Sequence, residues 1–251
     1  MTSSSASPAA LVVGASRGIG AALARELAAR GYRLGLLARS REQLAQLADE
    51  LRSRHGVQVE IETLDVSEQA AVAPALQRVF AALGRVDLVI ANAGITGVRK
   101  AGDGRLEKDR RIIETNLMGA IAVIDTAVAW FRQQGGGHVA AISSISAYRG
   151  IPGSGAYSAS KAALTNYLEA LRMELADKNI AVTVVHPGFV KTDIAPNMEK
   201  YPFAAEPEKV AREIADGLQR RRRNLIVPAM PWRVLLPALR LLPDSVLRKV
   251  F

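Results

Sequence analysis

Residues 9–20 read AALVVGASRGIG. Five uncharged apolar residues run into Gly14, and Gly18 and Gly20 follow before a stretch of helical period from Ile19 to Arg30. The apolar run is that of a short buried strand, and the glycines let the chain turn sharply into a helix. A glycine turn in that position brings free helix N–H groups and partial positive charge to one point, where a pyrophosphate can be held. An ordinary turn is the plainer alternative. The placement between a first strand and a first helix favours the phosphate.

Working outward, the pattern repeats. RLGLLA (33–38), VQVEIETL (57–64), DLVIANAG (87–94), GHVAAISS (137–144), IAVTVVHPG (180–188) and NLIVPA (224–229) read as six further strands. Helical periodicity falls between them at about 42–54, 68–83, 107–133 and 157–178, with Leu164, Leu168, Leu171 and Leu175 sharing one face. Near-continuous apolar strands alternating with helices predict an α/β fold, a doubly wound seven-stranded parallel sheet with helices on both faces. At 251 residues and 49% hydrophobic content, one domain accounts for the chain, over 9–230.

The flanks differ. Residues 1–8 lack the basic start and long apolar core of a secretory signal and read as a disordered tail. The most apolar segment, 112–131, is broken by Glu114 and Asp125, so no membrane span is expected. There is no cysteine, which excludes disulfides and thiolate metal sites and suits a reducing, cytoplasmic setting. His55 and His138 stand alone without ligand spacing, and no metal site is expected. The net charge is +9, and residues 217–251 carry much of it, with eight bases against Asp244.

The end of the second strand chooses between nicotinamide cofactors. An acid there would bond the adenosine ribose hydroxyls and repel a 2′-phosphate. Arg39 and Ser40 stand there instead, and Arg39 with Arg17 offers two guanidinium groups to a phosphate dianion. NADP(H) is therefore expected over NAD(H). In GAYSASKAAL (155–164), Tyr157 and Lys161 lie four apart on one helical face. A free phenol has a pKa of about 10. A neighbouring ammonium would favour the phenolate and lower that value.

The spacing G-x-x-x-G-x-G over Gly14, Ser16, Arg17, Gly18, Ile19 and Gly20, the Tyr157–Lys161 pair, Ser144 thirteen residues before it, and Asn116 in ETNLMG together resemble the short-chain dehydrogenase/reductase family. The resemblance covers roughly 9–193 and implies a Rossmann fold. It implies a catalytic tetrad of Asn116, Ser144, Tyr157 and Lys161 that interconverts a ketone or aldehyde and an alcohol. Tyr157 would be the general acid/base, Ser144 a donor to the carbonyl oxygen, Lys161 a ligand of the nicotinamide ribose, and Asn116 the holder of a relay water. It further implies that Asp65 and Val66 border the adenine and that Asn92, Ala93 and Gly94 pass close to the cofactor. Pro187, Gly188, Val190 and Thr192 would close over the nicotinamide. Val13 and Ala91 depart from the commoner threonine and asparagine of the family. His186 reads as a hydrogen-bonded structural histidine.

Family members take substrate from loops after strands four, five and six, here including 189–206. These offer Ile95, Ile145, Ser146, Tyr148, Ile151, Phe189, Ile194, Met198, Tyr201 and Phe203 beside Ser144 and Tyr157, a largely apolar set that suits a hydrophobic carbonyl substrate. The extension 231–251 has a wide apolar face, and Pro237 and Pro243 would break it into short pieces. With Arg220–Arg223 it suits a lid, a subunit interface or peripheral contact with a membrane surface. The resemblance implies a homodimer or homotetramer. A non-catalytic NADP-binding scaffold or sensor is the alternative function. Few aromatics and no nucleic-acid module put a nucleic-acid binder last.

Overall fold

The computed structural model describes residues 7–194, 201, 203–241, 243 and 245. Most of the 1–8 tail, Met198 and nearly all of 242–251 lie outside the described residues. Ser7 and Pro8 are not free tail, since their carbonyls accept from the Arg33 side chain and backbone N–H.

Seven strands form one sheet: β1 Ala9–Val13, β2 Arg33–Ala38, β3 Val59–Thr63, β4 Leu88–Ala91, β5 Gly137–Ile142, β6 Ile180–Pro187 and β7 Asn224–Val227. All pairings are parallel, in the order β3-β2-β1-β4-β5-β6-β7. The order reverses between β1 and β4, which opens a crevice at the carboxyl ends of the strands. The helices are α1 Gly18–Ala29, α2 Arg41–His55, α3 Gln69–Leu83, α4 Leu106–Ile113, α5 Ala120–Gln134, α6 Gly155–Glu174, α7 Pro207–Gln219 and α8 Ala229–Leu241. Helices α1, α2 and α7 bury Leu23, Leu47 and Ile214 on one face of the sheet. Helices α3, α5 and α6 bury Phe80, Phe131 and Leu168 on the other. This is the doubly wound arrangement the alternation predicts.

Three elements differ from the expectation. The long helix at 107–133 is interrupted at Glu114–Gly119 by a π-helical turn, which carries Asn116. From Leu106 to Gln134 the segment is long and apolar enough to cross a membrane, yet Val123, Ile124, Ala127 and Phe131 pack into the core. Helix α7 was not anticipated. In the C-terminal extension, α8 continues through Pro237 rather than breaking there. Arg220–Arg223 enter β7 and α8 leaves it, so the two lie at opposite ends of a strand roughly 13 Å long.

Candidate active site

The cofactor end of the crevice is shaped by missing side chains. Gly14 adopts a positive φ of 88°, and a Cβ there would fall 2.6 Å from the Ala93 backbone nitrogen. At Gly20 a Cβ would fall 2.1 Å from the Gly14 carbonyl oxygen. That oxygen accepts from Asn92 Nδ2 at 2.7 Å. Thus Asn92 ties the end of β4 to the glycine turn, where only small residues allowed the strands to meet. Gly18, at φ 57°, lies against Thr192, with 3.3 Å from its would-be Cβ to the threonine methyl.

At the far end, Ser40 caps α2 by accepting from Gln43 N at 3.3 Å. Arg17 and Arg39 are exposed, and Arg39 approaches Asp65 Oδ2 at 3.9 Å. Burial alone would raise the Asp65 carboxyl. Two bonds from Ser67, with the charges of Arg39 and Arg111, bring it below the usual carboxylate range. The donor set at this end is two guanidinium groups and a helix N-terminus, which fits an anion.

The chemical end lies over β5. Ser144 follows that strand, and its Oγ accepts from Ser146 N at 3.1 Å while bonding the Tyr157 phenol. Tyr157 and Lys161 project from the first turns of α6. Lys161 is buried and donates from Nζ to the Ile142 carbonyl at 2.8 Å. Its Nζ lies 5.8 Å from the centre of the Tyr157 ring. Burial pushes the ammonium down to about 8. The same burial pushes the phenol up, and the Ser144 bond offsets part of the rise. The phenol is thus raised rather than lowered, because burial outweighs the Ser144 bond while Lys161 donates to the Ile142 carbonyl.

Asn116 is fully buried behind this pair. Its Oδ1 accepts from Ile95 N at 2.8 Å, and its Nδ2 donates to Ile95 O at 2.9 Å and approaches Ser160 Oγ at 3.3 Å. The π turn brings this amide to the loop after β4. A Cβ at Gly94 would sit 3.3 Å from Asn116 Oδ1 and 3.5 Å from Lys161 Nζ. Of the small residues between Tyr157 and Lys161, Ser160 donates to the Tyr157 carbonyl at 2.7 Å. Ser158 accepts from Ile151 N at 3.4 Å. They brace the helix as well as leaving room.

One cavity of about 860 Å³ joins both ends. Every expected cofactor residue except Gly20 lines it, as do Ser144, Tyr157, Lys161, Ile145, Ser146, Phe189 and Tyr201. Asn116 stands behind the wall. Tyr148 and Phe203 do not line it: Tyr148 lies against His186, ring centres 4.9 Å apart, and Phe203 packs edge-on to Trp232. His186 is the structural histidine expected, with Nδ1 3.3 Å from the Ser144 carbonyl. Thr96, Gly97 and Val98 also line the cavity and were not anticipated. Their place directly after β4 was the available signal.

A parallel sheet in this order, with a glycine turn at its switch point, defines a Rossmann fold of the dinucleotide-binding type. The chain belongs to the short-chain dehydrogenase family, whose profile, described as short chain dehydrogenase, matches residues 8–201. It is 34% identical over 241 residues to an uncharacterized oxidoreductase of Mycobacterium tuberculosis, covering 95% of each chain. It superposes on an alcohol dehydrogenase from the archaeon Thermococcus sibiricus, complexed with 5-hydroxy-NADP, with a TM-score of 0.81 and 30% identity. That match covers 88% of this chain and 95% of the other. It also resembles a short-chain dehydrogenase from Sphingobium yanoikuyae in complex with NADPH, with a TM-score of 0.82 and 29% identity over 93% of each chain.

Proposed function

We propose that the protein is an NADPH-dependent reductase that interconverts a ketone or aldehyde and an alcohol on a mainly hydrophobic substrate. The observation that carries this reading is the meeting of Ser144, Tyr157 and Lys161 in a single cavity that continues to Arg17 and Arg39. The nicotinamide cofactor, when bound, supplies the hydride. Ser144 and Tyr157 each direct a hydroxyl at the carbonyl oxygen, and Tyr157 gives it a proton as it becomes an alkoxide. The raised phenol keeps its proton across neutral pH, as an acid for reduction needs. Lys161, which donates to the Ile142 carbonyl, would hold the ribose hydroxyls, and Asn116 fixes the Ile95 backbone beside the cavity. Arg17, Arg39 and the capped N-terminus of α2 take the 2′-phosphate.

The NADP-type ligands named for the two solved relatives support the cofactor choice, and the apolar cavity wall supports the substrate class. The test is NADPH oxidation against a panel of small, bulky and acyl ketones. Activity with at least one class, lost in Tyr157→Phe, is expected. NADPH binding with no turnover of any carbonyl would favour a scaffold or sensor instead. Assembly into a dimer or tetramer through α5 and α6 belongs to the same proposal, and light scattering on the purified protein decides it. Cytoplasmic location and lipid contact through the C-terminal extension are separate proposals; flotation of the full chain with anionic vesicles tests the second.

A further inference from the structure

The C-terminal extension returns to the crevice through one residue. Trp232 and Leu236, four apart on α8, are 4% and 3% exposed. With Ile145 they form a small core of their own, against which Phe189, Tyr148 and Leu235 pack. Ile145 directly follows Ser144, and Phe189 directly follows Gly188. The cluster thus joins the turn that carries the serine to the loop after β6, which the indole touches at Gly188 and Phe189. Trp232 does not line the cavity itself.

The contact with Gly188 is close. A Cβ on Gly188 would fall 2.1 Å from Trp232 Nε1 and 2.5 Å from its Cε2. No positive φ is needed at Gly188, so an alanine is barred there by the indole and not by backbone strain. On its other side Gly188 N donates to the Val227 carbonyl at 2.8 Å, extending the β6–β7 ladder. Gly188 is therefore held between β7 and α8. The Phe189 ring lies edge-on to Trp232 at 5.3 Å and against Tyr201 at 4.6 Å. Beyond it the loop is pinned by Ala205 N to Phe189 O and Lys191 N to Ala205 O, both 2.9 Å. It ends at Thr192, against Gly18 of the glycine turn.

We infer that Trp232 is a positioning residue that locks the C-terminal extension to the substrate loop through Gly188 and so sets the size of carbonyl the cavity accepts. Residues 188–192 form a short strap, with Trp232 at one end and the cofactor's glycine turn at the other. Phe189, next to Gly188, is the wall that the substrate meets. Removing the indole lets Phe189 fall back and enlarges the substrate end without touching Arg17, Arg39 or the glycines. The size-selection part of this inference rests on the reductase reading; the lock itself does not.

The experiment is a double-mutant cycle of Gly188→Ala and Trp232→Leu in the full chain, read first by thermal unfolding without cofactor or substrate. Gly188→Ala is expected to lower the midpoint in the parent and to leave it nearly unchanged in the Trp232→Leu background. Equal losses in both backgrounds would overturn the lock. The second readout is kinetic. Trp232→Leu should shift the ratio of kcat/KM for a bicyclic against a three-carbon ketone by about tenfold toward the larger. Trp232→Phe should stay near the parent, and the Kd for NADPH should move less than about twofold in either. An unchanged ratio would overturn the role in size selection. A parent protein that binds NADPH but turns over no ketone would refute the reductase reading, while the unfolding cycle would still decide the lock.

Discussion

Lys161 gives its ammonium to the Ile142 carbonyl at 2.8 Å, although its Nζ lies only 5.8 Å from the Tyr157 ring centre. Burial lowers this ammonium to about 8, while the phenol is raised. The first group to lose a proton on the alkaline side is then the lysine. We expect kcat/KM for carbonyl reduction to fall above about pH 8, with the proton still on Tyr157. Lys161→Met should lack that limb and run at least about a hundredfold slower at neutral pH, since it loses both the proposed ribose ligand and the charge. A parent profile flat to pH 10 would contradict the assignment.

The proposed preference for NADPH rests on two exposed guanidinium groups, Arg17 and Arg39. Charge-assisted bonds to a phosphate are worth about 1.5–3 kcal/mol each. Arg39→Asp removes one and opposes the phosphate with an acid, so the NADPH/NADH ratio of kcat/KM should fall by at least about a hundredfold. Arg17→Ala should lower it by about tenfold. A parent enzyme that already prefers NADH would show that Arg39 serves Asp65 alone.

Much of the fold and site is legible in the sequence, and what is not has physical reasons. Strand runs such as AALVV and GHVAAI are buried on both faces, so continuous apolarity marked them. The glycine turn stood out because its residues must let two backbones meet. Helix α7 was also there to be read: Pro207 opens it, and Val210, Ala211, Ile214, Ala215 and Leu218 form its buried stripe. The π turn was not legible, because its single extra residue leaves the helical pattern on both sides intact. Nor was the direction of Lys161, since i, i+4 spacing fixes a shared face and not where a long side chain ends. Trp232 read as part of an amphipathic tail because its partners, Gly188 and Phe189, lie more than forty residues away in the chain.

Asn116 uses both ends of its amide on one residue, accepting from Ile95 N and donating to Ile95 O. A carboxylate can only accept, so Asn116→Asp keeps the size but sets negative charge against a buried carbonyl. We expect a loss of about 2–4 kcal/mol in unfolding free energy and a rise in NADPH Kd as the Gly94–Ile95 backbone moves. Denaturant unfolding and cofactor titration check both. A variant as stable as the parent would show that the π turn, not its amide, holds the loop.

We expect two buried histidines, His138 and His186, to lower stability on the acid side. Thr183 Oγ1 donates to the Arg222 carbonyl at 2.6 Å, so at 2.8 Å it accepts from His138, which must carry its proton on Nε2. His186 faces a carbonyl and carries its proton on Nδ1. Burial holds both at about 4, with Arg221 adding to the shift at His138. An unfolded histidine titrates near 6.5. Between about pH 6.5 and 4 the unfolded chain therefore binds more protons than the folded one, and stability falls as pH falls through that window. The full loss is about 3 kcal/mol per histidine. It comes above the range where the depressed Asp65 carboxyl titrates. The double variant His138→Gln, His186→Asn should be less stable than the parent at pH 7 but show a much flatter fall to pH 4.5 in thermal midpoint. Equal slopes for parent and variant over that range would mean that other groups carry the acid sensitivity.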